Sequence, residues 1–313
     1  MNIVALAGGV GGAKMADGLA QALRAEDLTI IVNTGDDFEH LGLKICPDLD
    51  TVCYTLAGLA NPSSGWGRIN ETWNAIQNLE LLGGPGWFQL GDSDLGTHLE
   101  RTHRMKEGQT LSQITRDFCK AWGVKPLVLP MSDDPIPTIV QTSKGNLGFQ
   151  EYFVHQQCAP EVTGFRFLGI EKAKPAPGVL EAIDRADLII ICPSNPWVSI
   201  DPILAVPGVR QKLGTRQVIA VSPIIGGKAV KGPAAKMFTE LDIQPSAVAV
   251  ARHYGARAAD GLLAGFVVDN VDADLAAEVR EIGVLAYVTD TWMNTPKDRL
   301  RLAIEIQEFW KMR

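Results

Sequence analysis

Short apolar bursts, most of them rich in β-branched residues, recur along this chain, and the segments between them carry helical spacing. That alternation limits the fold more than any other feature, because consecutive parallel strands need a crossover long enough to hold a helix. The bursts fall at residues 3–7, 28–33, 126–129, 188–192, 218–221, 247–250, 265–268 and 284–287. They read as continuous apolar runs, as expected of strands covered by helices on both faces. Residues 12–25, 50–57, 69–82, 111–122 and 271–282 carry the helical periodicity, and 295–310 closes as a helix with Pro296 in its first turn. The expected class is α/β, with a doubly wound, mainly parallel sheet. One stretch departs from the pattern. Residues 138–142 and 147–154 flank Ser143-Lys144-Gly145-Asn146 as a β-hairpin, opening a smaller strand-containing insertion at about 138–170. No linker, low-complexity tract or internal repeat divides the rest, so 1–313 reads as a single domain carrying that insertion.

Composition sets the function classes that remain. The chain has 29 Lys and Arg against 36 Asp and Glu, a formal charge of -7, which disfavours nucleic acid and anionic membranes as partners. Its pure apolar runs are far shorter than the ~20 residues of a bilayer helix, and Met1-Asn2-Ile3-Val4 lacks the cationic start of a signal peptide. Cys46, Cys53, Cys119, Cys158 and Cys192 are scattered and form no CxxC pair, which fits buried thiols in a reducing cytoplasm. His40, His98, His103, His155 and His253 show no metal-ligand spacing, and neither HExxH nor GxSxG occurs.

Doubly wound sheets bind ligands at the carboxyl ends of their strands, so the residues just after each burst carry the chemistry. The first burst runs into Ala7-Gly8-Gly9-Val10-Gly11-Gly12-Ala13-Lys14. Gly9, Gly11 and Gly12 would let the backbone approach a phosphate, and the following helix N-terminus and Lys14 favour an anion. This is neither a P-loop nor the dinucleotide fingerprint, and the bland alternative is a tight turn without a ligand. After the second burst, Asp36 and Asp37 precede Cys46-Pro47-Asp48-Leu49-Asp50. Such an oxygen-rich cluster beside a phosphate turn suits Mg²⁺, with Asp36, Asp37 and Asp48 as candidate ligands. Taken singly, Asp50 also reads as a helix N-cap and Pro47-Asp48 as a turn. Ser194 and Asn195 follow the burst at 188–192, and Ser222 and Gly226 follow that at 218–221; all four are candidate nucleotide contacts on proline-fixed loops. Trp66, Trp87 and Trp197 stand beside Gly or Pro and are candidates for stacking on an aromatic ligand. An NAD-linked dehydrogenase fits poorly, because Asn33 occupies the place of the acidic ribose contact.

The glycine run, Pro47-Asp48-Leu49-Asp50-Thr51, Leu90-Gly91-Asp92-Ser93-Asp94, Pro130-Met131-Ser132-Asp133-Asp134-Pro135, Ser194-Asn195-Pro196 and Ser222-Pro223-Ile224-Ile225-Gly226-Gly227 together resemble the 2-phospho-L-lactate transferase family, of the CofD/FbiA type, of coenzyme F420 biosynthesis. The resemblance spans nearly the whole chain in order. It implies a Rossmann-like fold, often homodimeric, and a Mg²⁺-dependent transfer from a guanosine diphosphate ester to the deazaflavin alcohol Fo. The transferred group would be phospholactyl or phosphoenolpyruvyl, with GMP released. It further implies that Asp50 holds Fo and acts in catalysis, and that Gln89 is a second Fo contact, where relatives can carry Lys. A related family of nucleotide-sugar-binding gluconeogenesis factors shares the glycine-rich start and the Asp-Asp pair. That makes a non-catalytic regulator the alternative.

Overall fold

The computed structural model describes residues 1–312. Seven strands build the central sheet: β1 (Ile3–Ala7), β2 (Leu28–Val32), β5 (Leu127–Pro130), β9 (Leu188–Ile191), β10 (Val218–Val221), β13 (Gly265–Asp269) and β14 (Leu285–Thr289). Their order is β14-β13-β10-β9-β1-β2-β5 and every pairing is parallel. The chain thus starts in the middle, runs outward through β2 and β5, and returns to the other side of β1 at β9. The crevice where the winding reverses lies at the carboxyl ends of β1 and β9, which is where doubly wound sheets place ligands. Three antiparallel units are added: β3 (Phe38–His40) with β4 (Leu43–Ile45); β6 (Thr138–Thr142) flanked by β7 (Gly145–Gly148) and β8 (Val162–Phe167); and β11 (Ile224–Ile225) with β12 (Lys228–Ala229).

The continuous apolar runs have the reason the sequence implies. Ile3, Ala5 and Ala7 of β1 enter one core with Met15, Leu19, Val52, Leu302 and Ile306. Val4 and Leu6 point into the other, with Val179, Ile183, Phe238 and Tyr254. β1 is therefore apolar on both faces, and a fully buried Leu or Ile contributes about 1.5–3 kcal/mol relative to exposure.

Several local expectations are corrected. Residues 247–250 are not a strand but open the helix Ala247–Tyr254, where the Ser246 hydroxyl accepts from Ala249 N at 3.0 Å. Four apolar residues carry no period of their own, and the cap together with the Ala content favours the helix. The hairpin turn is shorter than expected, since Thr142 already faces Gly145. Its second strand ends at Gly148, and Glu151–His155 form a π-helical turn. Residues 271–282 divide into a 3₁₀ segment, Asn270–Leu275, and the helix Ala276–Glu281. Helices α1 (Gly9–Ala22) and α2 (Pro47–Leu56) each begin three residues earlier than their periodicity indicates. Asp50 is consequently inside α2 rather than capping it. Helices α3 (Asn74–Leu81), α4 (Asp92–Lys106) and α5 (Leu111–Ala121) follow before β5.

Candidate functional site

The glycines after β1 are required by how closely the neighbouring loops approach. A Cβ on Gly11 would lie 2.2 Å from the Pro193 carbonyl oxygen, and one on Gly12 2.7 Å from Ser194 Oγ. A Cβ on Gly8 would lie 2.5 Å from Asp48 Oδ2, and Gly9 has φ +63°, a left-handed backbone that glycine tolerates. Ser194 Oγ accepts from Gly8 N at 3.2 Å and donates to the Gly8 carbonyl at 2.8 Å. These contacts fasten the turn after β1 to the loop after β9, with the N-terminus of α1 at the winding crevice. Lys14 is half-buried one turn further on; burial, Arg299 and Lys231 together push its pKa down. Lys231 donates to the Ser64 carbonyl, and a Cβ on Gly65 would lie 2.7 Å from Val10 Cγ1. Residues 61–67 therefore lie over the glycine turn.

Asn33, at the end of β2, gathers the aspartates. Its Nδ2 lies 3.0 Å from Asp36 Oδ1, 2.9 Å from Asp48 Oδ2 and 3.0 Å from the Val198 carbonyl oxygen. Two amide hydrogens face three acceptors, so the cluster is short of positive charge. Burial, and then the neighbouring Asp48, push the Asp36 carboxyl well up. Burial likewise raises Asp48, to about 6, against hydrogen bonds from Asn33 and Gly9 N. Asp37 differs from these two. It pairs with Lys44 Nζ at 3.0 Å and accepts from Cys46 Sγ at 3.1 Å. Thr34 Oγ1, Asp37 Oδ1 and Thr138 Oγ1 are buried without a hydrogen-bond partner.

Asp50, two residues on in the same first turn of α2, points about 200° round the helix from Asp48 and enters a different network. Arg101 of α4 grips both its oxygens, from Nη1 at 3.0 Å and from Nη2. Burial would lower the Arg101 pKa, but Asp50 more than offsets it and holds the guanidinium charged. His98 Nδ1 is 3.2 Å from Arg101 Nη1, and its Nε2 is 3.4 Å from Asp94 Oδ2. Asp94 Oδ1 accepts from the Tyr54 hydroxyl at 2.7 Å. Asp94 then borders a cavity of about 210 Å³, which Gln89, Trp66, Trp73, Arg68 and Glu71 also line. Gln89 is exposed there, with its amide donating to the Gly86 carbonyl at 2.8 Å.

The remaining sequence candidates have structural work. Asn195 Oδ1 accepts from Trp197 N at 3.0 Å, and Ser222 Oγ closes a local turn through both Ile224 N and the Ile224 carbonyl. Gly226 N donates to Asp272 at 2.9 Å. Trp197 is a core residue, stacked on Phe165 and packed on Phe238. Trp87 joins Phe38, His40, Phe88 and His155 in an aromatic cluster beside the β3–β4 hairpin. Of the three tryptophans expected to stack on a ligand, Trp66 alone lines the cavity. Its companion there, Trp73, escaped the sequence reading, as did Arg101 and the link from Asp94 to His98. Their signal was the spacing Asp94, His98, Arg101, which places all three on one face of a helix.

The model of the family described as 2-phospho-L-lactate transferase CofD matches residues 3–292. A phosphoenolpyruvate transferase from Streptomyces griseus is 47% identical over 91% of this chain and 90% of its own. One from Streptomyces coelicolor is 44% identical over 98% of this chain and its whole length, and one from Thermobifida fusca 44% over 93% of both. Among solved structures, two of a UPF0052-family protein from Bacillus halodurans align with TM-scores of 0.57 and 0.58 over 92% of both chains. At 16% and 18% identity they share the fold.

Proposed function

The chain belongs to the 2-phospho-L-lactate transferase CofD family, and from that premise we propose that it transfers a phosphoenolpyruvyl or phospholactyl group to Fo. The donor is a guanosine diphosphate ester, and the products are the phosphodiester precursor of the coenzyme and GMP. The observation that carries this reading is identity of 47% and 44% with proteins named phosphoenolpyruvate transferase, across nine-tenths or more of each chain. Those names favour the enolpyruvyl donor over the lactyl one.

The site supports the chemistry. In such a transfer the acceptor hydroxyl oxygen bonds to the phosphorus bearing the three-carbon acid. The bond from that phosphorus to the bridging oxygen of GMP breaks, GMP keeps the electron pair, and the hydroxyl proton leaves through the site to solvent. Catalysis then rests on alignment and on neutralising phosphate charge. The turn Gly8–Gly12, the N-terminus of α1 and Lys14 supply donors and positive potential for the donor's phosphates. Asp36 and Asp48, short of hydrogen-bond donors around Asn33, fit Mg²⁺ better than Asp37, which Lys44 already neutralises. Mg²⁺ held there would offset charge on the phosphate oxygens. The cavity beside Gln89, walled by Trp66 and Trp73, suits the flat deazaflavin ring, and Asp50 braces its rim from behind. Four of the five cysteines are buried and all are free, which supports a reducing cytoplasm; among the described residues no helix is long and apolar enough to cross a membrane. A homodimer is the expected assembly.

Incubating the protein with Fo, Mg²⁺ and each guanylated donor, followed by product mass, tests the reading. We expect the Fo adduct of enolpyruvyl phosphate together with GMP. No adduct from any donor, with binding of UDP-sugar equal to that of GDP, would overturn it in favour of a regulator.

A further inference from the structure

We infer that Cys53 and Cys119 form a redox-sensitive pair, in which a hydroperoxide oxidises Cys119 and Cys53 then closes a disulfide that restrains α2. Their sulfurs lie 3.6 Å apart, one on α2 and one on α5. Trp122, one turn on from Cys119, meets the Tyr54 ring at 5.2 Å between centroids, so two successive contacts hold the helices in this register. Cys119 borders a cavity of about 880 Å³ at the amino ends of β1, β2 and β5, which Arg116, Lys120, Val124 and Val128 also line. Cys53 stands behind it, buried. The pair thus has one sulfur within reach of a small oxidant and one held against it.

Disulfides that form in a reducing compartment are mostly transient ones that sense or transfer oxidising equivalents. The contact with Cys119, and then burial, push the Cys53 thiol well up, so it waits protonated while Cys119 meets the oxidant. In the first step the Cys119 proton passes to water in the cavity, and its sulfur bonds to one peroxide oxygen. The O–O bond breaks, and the departing hydroxide takes up a proton as water. Arg116 and Lys120 put positive charge in the wall where that hydroxide forms. In the second step the Cys53 sulfur attacks that of Cys119. The S–O bond of the sulfenic acid breaks, and the Cys53 proton leaves with the hydroxide as a second water. Two thiols lose two electrons to one peroxide, and a dithiol reverses the bond. To bond, the sulfurs must close from 3.6 Å to about 2.05 Å. That draws α2 toward α5 one turn on from Asp50, whose partner Arg101 lies 6.0 Å from the Phe118 ring beside Cys119. Oxidation is thereby felt at the turn that carries Asp48 and Asp50.

The test treats the full chain with hydrogen peroxide, quenches it with an alkylating reagent and maps the peptides by mass, alongside Cys53→Ala and Cys119→Ser. We expect a link between Cys53 and Cys119 that dithiothreitol removes. In Cys53→Ala, Cys119 should stop at the sulfenic acid and be trapped by dimedone. In Cys119→Ser, Cys53 should be recovered as the free thiol. Recovery of both as free thiols from the oxidised, unmodified chain, or of Cys119 as sulfonic acid without a link, would overturn the pair, and that readout needs neither variant to fold. The effect on turnover rests on the transfer reading. Oxidation should lower GMP release severalfold in the unmodified chain, dithiothreitol should restore it, and Cys119→Ser should keep its rate in the same peroxide. A cross-linked chain working at full rate would overturn control of the site by this pair. No transfer by the reduced chain would overturn the transfer reading and leave the cross-link standing on its peptide map.

Discussion

Asn33 offers two amide hydrogens to three acceptors, and that deficit makes Asp48 responsive to pH and to cations. The folded-state pKa of Asp48, about 6, lies above the 3.8 of the free carboxyl. The folded protein therefore binds this proton more tightly than the unfolded chain. The stability it contributes is full below about pH 4 and is lost as pH rises through about 6. A divalent cation needs the ionised form, so its benefit should follow the opposite course. We expect MgCl₂ to raise the melting temperature clearly at pH 7.5 and little at pH 5. A hundredfold excess over Kd corresponds to about 2.7 kcal/mol. Asp48→Asn should abolish the difference between the two pH values, and an equal rise at both pH values in the unmodified protein would remove Asp48 from the proposed cation site. At this scale the sequence was informative about which carboxylates cluster, because Asp36, Asp37, Asp48 and Asp50 lie within fifteen residues. It was silent on which are already paired. Lys44 and Arg101 meet Asp37 and Asp50 through tertiary packing, and in the case of Arg101 across 51 positions of chain.

Helices α3 and α4 lack caps of their own and cap one another. Asp92, the first residue of α4, accepts from Asn74 N at 3.2 Å and Ala75 N at 2.9 Å at the start of α3. Glu71, just before α3, returns the favour to Ser93 and Asp94 of α4. Hydrogen bonds from Thr72, Ala75 and Asn74 hold the Asp92 carboxyl at about 2. Its contribution is thus present above pH 4 and lost as pH falls through 2, in the direction opposite to that of Asp48. Acidification from pH 4.5 to 2 should therefore raise amide exchange in residues 71–81 before it does so in β1 or β9. Simultaneous loss of protection would refute an exchanged cap. Periodicity alone located the sheet strands, the helix at 111–122 and the closing helix, since long or doubly buried runs leave one reading. It missed the bounds of α3 and α4 because their ends are stabilised from outside, and it mistook 247–250 for a strand because four apolar residues have no period. The cavity beside Gln89 was half legible: Gln89 and Trp66 stood out in the sequence, whereas Trp73 and the helical face Asp94–His98–Arg101 did not.

At the scale of the whole molecule, the crevice beside the glycine turn has a competitor at the other end of the sheet. A wider cavity, about 880 Å³, lies at the amino ends of β1, β2 and β5, lined by Asn2, Leu28, Arg116, Lys120, Lys125 and Arg185 among others. Size alone would choose it. Electrostatics chooses against it, because α5 brings its C-terminus to that end. The last turn of α5 and the residues just after it, through Cys119, Lys120 and Gly123, form part of the wall. The carbonyl ends of helices repel phosphate, whereas the N-terminus of α1 attracts it. The basic side chains of the wider cavity are also offset by Glu26, Asp27 and Glu181. On the reading proposed above, a guanylated donor carrying several negative charges, on a protein of net charge -7, is best placed where the N-terminus of α1 and Lys14 add. Paired substitutions separate the two places. Lys120→Ala, at the amino-end cavity, should leave kcat/KM for the donor within twofold. Lys14→Ala, beside the glycine turn, should lower it at least tenfold, about 1.4 kcal/mol of transition-state stabilisation. The salt dependence should part in the same way, steep for the unmodified enzyme and for Lys120→Ala but shallower for Lys14→Ala, because Lys14, unlike Lys120, stands beside the glycine turn proposed to hold the phosphates. A donor defect in Lys120→Ala with none in Lys14→Ala would move the proposed nucleotide site to the amino ends, where the C-terminus of α5 lies.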